Sequence, residues 1–242
     1  MNRVGRRRPT RVGGLDGCRA GWVLATGDVV DGRPVPGSAT AAVVATFAEA
    51  LAQVIDGRLD ALGVDMPIGL PAAGTRAADR AARRRLGPRR SSVFPTPVRP
   101  VLGATDYVDA LARSRAVDGR GLSKQAFNLL PRIAEVDAAM TPDQQVRVFE
   151  CHPETAFARL AGAPLATTKR EAAGRQHRRD LLAHELGPID RLLDPLPGGA
   201  QVDDVLDALV VVVIAARSLV GDVERLGDAA RDDRGLRMEI VV

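Results

Sequence analysis

The sequence predicts an α/β fold, a sheet flanked by helices and interrupted by a helical insertion at about residues 66–144. Three observations predict it. A β-hairpin pattern opens the patterned part of the chain. A strand, helix, strand order follows. After a proline-punctuated helical stretch, the chain returns to a strand and then to further helices.

Residues 1–10 carry few apolar positions and no periodicity, so a disordered basic tail is expected there, with the folded domain at 11–242. A strand over 12–16, a turn over 17–21 with glycine at each end and a strand over 22–25 form the hairpin, with Asp16 just before the turn. A bend rich in Gly and Pro leads to a strand over 41–45. Phe47, Leu51, Val54 and Ile55 then recur at helical spacing, and a strand over 61–65 stops at Pro67. Between two proline-rich loops and beyond them, helices are expected over 76–86, 106–116 and 123–139. Residues 146–149 alternate as a strand ending at Glu150, and Pro153 opens a helix over 154–160. A helix over 168–186 follows. The last helix opens at Asp203 and Asp204 and runs through Leu219; its β-branched run 210–214 favours a strand locally, but its acidic start and its length favour a helix.

At 242 residues the chain is long enough to bury about 75% of its unfolded surface. Aromatics make up only 3%, which excludes stacking on exposed bases as the main mode of binding. The longest apolar run, 208–216, is nine residues, and a membrane span needs about 20. No secretory signal pattern is present, so a cytoplasmic location is expected. Cys18 and Cys151 have neither disulfide-framework nor zinc spacing. The net charge of +4 sits in the tail: five Arg fall within residues 1–11, and without them the body carries −1. Within the body, residues 76–99 hold eight Arg against one Asp, either a solvated face or an anion-binding surface.

Carboxylates carry the chemistry. Asp16 and Asp65 each end a strand, and Asp204 and Asp207 are spaced i, i+3 on one helical face. Taken singly, each has an ordinary structural reading as turn residue, cap or helix-dipole partner. Taken together, such a cluster repels itself unless a cation sits in it, and a hard divalent ion held by carboxylates is the usual solution. Glu150 is a further candidate, alternatively a cap for the helix after Pro153. His152 is a possible general base, although strand alternation is taken to keep Glu150 and His152 from facing the site together.

The segments GLDGCRAGWVLA, GVDMPIGLP and DDVLDALV, with the element order, resemble a ribonuclease H-like fold, a mixed five-stranded sheet flanked by helices. More narrowly, GLDGCRAGW, VDMPIGLP, RAADRAARRRLG followed by SSVFPTPVR, GLSKQAFNLLPRIAEVD, FECHPETAF and GLRMEIVV resemble the DUF429 family of predicted nucleases over residues 11–242. The last helix is also similar to that of Holliday-junction resolvases, where an Asp-x-x-Asp-Ala-Leu segment completes a metal site. The resemblance implies a nuclease that cuts phosphodiester bonds of DNA or RNA with Mg²⁺ or Mn²⁺, held by Asp16, Asp65, Asp204 and Asp207. Asp65 departs from the Glu common in the wider fold. A polyanion substrate calls for a basic surface beside the acids, and the candidates are Arg83, Arg84, Arg89, Arg90, Ser92 and Arg99, with Arg76 and Arg80 near the same face. Lys169 and Arg178 match a Lys and an Arg of the family pattern and form a second bank. The alternative is a non-catalytic or small-phosphate-binding protein of the same fold, since the Gly17 to Gly21 turn also resembles the phosphate loops of sugar kinases.

Overall fold

A computed structural model describes residues 9–242, and the expectation for tail residues 1–8 lies outside them. β1 (Thr10–Cys18) and β2 (Gly21–Val30) pair antiparallel from Thr10↔Val29 to Cys18↔Gly21. The hairpin is therefore longer than its apolar pattern implies. Only Arg19 and Ala20 turn, and Asp16 lies inside the strand opposite Val23. Gly21 has φ +142°, and a Cβ there would stand 2.2 Å from the Val44 carbonyl oxygen, so this corner requires glycine. The short β3 (Arg33–Pro34) and β4 (Thr40–Val44) both pair with β2 along its outer edge.

Thr46 caps α1 (Phe47–Ile55) by accepting from the Glu49 N–H, and β5 (Ala61–Val64) then pairs parallel to β1. Three helices, α2 (Ala77–Leu86), α3 (Tyr107–Asp118) and α4 (Lys124–Ala139), intervene before β6 (Val148–Glu150) pairs parallel to β5. The chain continues through α5 (Pro153–Ala161), α6 (Ala172–Leu186) and α7 (Val202–Ser218), and ends in the two-residue strands β7 (Arg225–Leu226) and β8 (Ile240–Val241). The principal sheet order is β4-β2-β1-β5-β6, with the first three strands antiparallel and the last two parallel to β1. This is the expected ribonuclease H-like mixed sheet, with the two-residue β3 as a sixth strand where five were expected. One face packs on α7, the other on α1 and α4. Among the described residues no helix is long and apolar enough to cross a membrane.

The conflict within the last helix is resolved by burial. Residues 205–216 of α7 are all buried, between β1, β2 and β5 on one side and α5 and α6 on the other. A helix apolar all round suits such a position, and tertiary packing overrides the strand preference of the valines. The approach of α7 depends on two glycines in register on adjacent strands, Gly14 and Gly63. A Cβ on Gly14 would stand 2.1 Å from the Ala208 carbonyl oxygen, and one on Gly63 would stand 2.4 Å from a Val211 methyl. Asp16 and Asp65 follow these glycines by two residues and so leave the sheet on the same face, toward α7. Gly14→Ala is expected to cost about 1–3 kcal/mol, because the neighbouring atom is backbone and cannot rotate away. Urea denaturation should show it; a midpoint unchanged from the native chain would mean that the helix shifts freely along the sheet.

Candidate active site

Asp16, Asp65 and Asp207 meet at the end of the sheet where β1 and β5 run out beside the first turns of α7. The register Leu15↔Val64 continues one step, with the Asp65 N–H donating to the Leu15 carbonyl at 2.8 Å, which sets Asp65 beside Asp16. Asp207 is 3% exposed and Asp16 8%. Burial, reinforced by Asp65 and Asp207, raises Asp16 well above the usual carboxylate range. Burial also raises Asp65, against the opposing effects of His152 and Lys169. Asp207 is pushed up to about 6 by burial, although the Lys169 ammonium lies 2.5 Å from its Oδ2. For Lys169 burial works against the charge, but Asp207, Asp16 and Asp65 outweigh it and hold the ammonium protonated.

Lys169 reaches the cluster because α6 begins at Ala172 and not at 168 as the sequence suggests. Residues 168–171 form a turn instead, in which the Thr168 N–H donates to Glu171 Oε1 at 2.9 Å. Gly174 makes this possible, since a Cβ there would stand 1.9 Å from the Thr168 carbonyl oxygen. Lys169 is thus a member of the acidic cluster and not part of a separate phosphate bank.

Asp204 stands apart from the other three. Its Oδ2 accepts from the Gln201 N–H at 2.9 Å and closes the capping box of α7, and Asp204 does not line the cavity above the cluster. The i, i+3 spacing is as expected, but a carboxylate three residues into a helix folds back on the open N–H groups. Glu150 is likewise committed. Both its oxygens accept from Arg76 at 2.7 Å, and Oε2 also takes the Ile68 N–H at 2.8 Å. Arg76, 3% exposed, also binds Asp79, so it is a buried counter-ion and not part of a solvent-facing basic surface. Glu150 and His152 both line the cavity: they are two residues apart and share a face, while Cys151 between them is fully buried. His152 Nε2 lies 3.2 Å from the Ser92 carbonyl, and its Nδ1 is buried without a partner.

Most of the predicted basic surface is consumed internally. Arg83 donates to the Val93 carbonyl, Arg99 pairs with Asp137 and Asp232, and Arg178 is buried on Glu154 at 2.6 Å. Arg84 and Arg90 are exposed, and neither lines the cavity. Arg89 and Ser92 do line it. Sequence reasoning missed Glu154, which lines the cavity and whose charge is felt by both Asp65 and Asp207. Its signal was its place in the first turn of a helix that follows directly on a strand end.

The cavity over the cluster holds about 480 Å³. In type and charge the three aspartates fit a hard divalent cation, being oxygen donors with more negative charge than one lysine neutralises. Among the described residues no three His, Cys, Asp or Glu side chains stand in coordinating geometry, and the ammonium of Lys169 lies on Asp207 instead.

The family model described as "Protein of unknown function (DUF429)" matches residues 14–232. This chain belongs to the DUF429 family. The match spans the three aspartates, the Arg76–Glu150 pair and the Lys169 turn. No curated protein matches the chain. Two solved structures from Thermus thermophilus are similar to it, a RuvC structure and RuvC in complex with a Holliday junction substrate. They are 14% and 13% identical to it, cover 88% of this chain and 98% and 97% of their own, and have a TM-score of 0.35 in both cases.

Proposed function

We propose that the protein is a divalent-metal-dependent hydrolase of phosphodiester bonds, a nuclease by class. The observation that carries this reading is the convergence of Asp16, Asp65 and Asp207 on the lining of one cavity, Asp16 and Asp207 buried and Asp65 half-buried, with all three carboxyls raised above their usual range. Carboxylates kept in mutual repulsion cost stability, and such groups mark functional sites. Asp16, Asp65 and Asp207 would hold Mg²⁺ or Mn²⁺, and that ion would supply Lewis acidity toward a phosphoryl oxygen. Asp204, committed to its helix cap, contributes charge alone. Lys169 offers an ammonium to a phosphate oxygen once the cation satisfies Asp207. His152, with Nε2–H donating to the Ser92 carbonyl, keeps its Nδ1 lone pair free to take a proton from attacking water. Arg76 and Glu150 position the site: Arg76 also donates to the Ile68 and Gly69 carbonyls and so ties down the strap that follows Asp65.

Calorimetry with Mn²⁺ and hydrolysis of bis(p-nitrophenyl) phosphate test the proposal together. The native chain should bind the ion and release p-nitrophenol, and Asp207→Asn should lower both by at least ~10²-fold. Ion binding without hydrolysis of any diester would favour the non-catalytic phosphate-binding reading. No ion binding at millimolar concentration would refute the ligand assignment.

A further inference from the structure

We infer that the cavity over the aspartate cluster receives a phosphate ester the size of one nucleotide, either a free nucleotide or the end of a single strand, and not the backbone of a duplex. The identity of the phosphate rests on the hydrolase reading; the arguments from shape and charge concern binding alone. A volume of about 480 Å³ falls within the roughly 300–1,000 Å³ of small-molecule sites and equals a cube of about 8 Å on a side. A duplex groove is about 12 Å wide, and tracking its backbone takes a row of cations outside the cut site. Among the described residues, the arginines of 76–99 do not form that row beside the cavity. Arg76, Arg83, Arg99 and Arg178 are bound internally, which leaves Arg80, Arg84 and Arg90 exposed away from the cavity lining.

The available cations point into the cavity instead. Arg89 lines it beside Glu154, whose Oε1 lies 3.8 Å from one guanidinium nitrogen, with its own Nε buried and without a partner, and Arg132 lines it while donating to the Cys18 carbonyl at 2.5 Å and lying 4.8 Å from the Trp22 ring centre. Arg132 is thereby fixed with donors to spare, since a guanidinium carries five. Lys169 and Arg170 complete the cationic lining. Phe94 and Leu129, both half-buried, add an apolar wall suited to the flat body of a base. Cations sufficient for one or two phosphates beside an apolar wall describe a nucleotide.

The test is calorimetry of the full chain in Mn²⁺ with three probes: AMP, an oligothymidylate and a blunt DNA duplex of the same length. At least one of AMP and the oligothymidylate should bind ~10-fold or more tightly than the duplex. Preference for AMP assigns a free nucleotide, and preference for the oligothymidylate assigns a strand end. Gln125→Trp narrows the cavity from an exposed position on α4, so folding should be untouched while affinity for the preferred probe falls at least ~5-fold. Duplex affinity equal to that of both other probes, no heat from any probe, or unchanged affinity in Gln125→Trp would overturn the inference. Titration with Mn²⁺ alone separates the two readings. AMP binding without Mn²⁺ binding removes the hydrolase reading and leaves this one, whereas Mn²⁺ binding with duplex preference does the reverse.

Discussion

Arg76→Met is expected to unfold at a markedly lower temperature than the native chain at pH 7, and adding Glu150→Met should recover part of the loss, because Asp79 stays buried without its guanidinium. Arg76 meets both oxygens of Glu150 at 2.7 Å and Asp79 Oδ1 at 2.6 Å, with all three side chains buried. Removing the guanidinium leaves two buried carboxylates uncompensated, at a cost of about 3–5 kcal/mol, whereas replacing an ion pair as a whole is often neutral. For a chain of this length each kcal/mol corresponds to roughly 2–4 °C, so the single variant should lose about 6–20 °C. Burial already raises Glu150 against the opposing effect of Arg76. Without Arg76 its folded value rises further above the unfolded one, the native state binds more protons than the unfolded state, and stability increases as pH falls. The loss should therefore be smaller at pH 5 than at pH 7. Thermal unfolding of both variants at the two pH values checks this. A single variant within about 2 °C of native would show that the network is not the anchor of the Pro67 to Leu70 strap.

Asp16→Asn should move stability the other way. Asp16, Asp65 and Asp207 all have folded values above their unfolded ones, so their ionisation opposes folding near neutral pH. The native chain takes up more protons than the unfolded chain between about pH 4 and the raised values, and stability should rise as pH falls from 7 through about 6 toward 4. Replacing Asp16 with the neutral amide removes one buried charge whose ionisation burial and its acidic neighbours oppose. In metal-free buffer at pH 7 a gain of about 1–3 kcal/mol is expected, at ~1.4 kcal/mol per unit of relieved shift. The cost falls on function: phosphodiester hydrolysis should drop by at least ~10²-fold, and the stabilisation that Mn²⁺ gives the native chain should disappear. Melting temperatures across this pH range, with and without Mn²⁺, measure all three effects. If Asp16→Asn is less stable than native at every pH, the carboxylate is a net stabiliser, and the cluster is structural.

Much of the fold was legible because its signals are local. Apolar spacing of about two or 3.6 residues placed α1, β5, β6 and α7 close to their observed bounds and located the β1–β2 hairpin, though not its full length, so that Asp16 lies inside β1 and only Asp65 follows a strand end. The paired glycines Gly14 and Gly63 were equally visible as letters, but their purpose appears only with α7 lying across them. The start of α6 was misplaced because residues 168–171 have a helical composition, and only the contact of Gly174 with the Thr168 carbonyl shows that a turn forms there.

What the sequence by itself determined was the order and type of the elements and the placing of Asp16 in the hairpin and Asp65 after β5, because backbone propensity and hydrophobic periodicity act between residues near each other in the chain. The tertiary structure alone decided which charges meet. Arg76 finds Glu150 across 74 residues, Arg99 finds Asp232 across 133 and Lys169 finds Asp207 across 38. The run of arginines over 76–99 thus reads as one basic surface in the sequence but divides in space into buried counter-ions, cavity-facing donors and a few solvated side chains. The physical reason is that an ionic group's role depends on its distance to partners and on the dielectric around it, and both are created by packing that brings remote segments together.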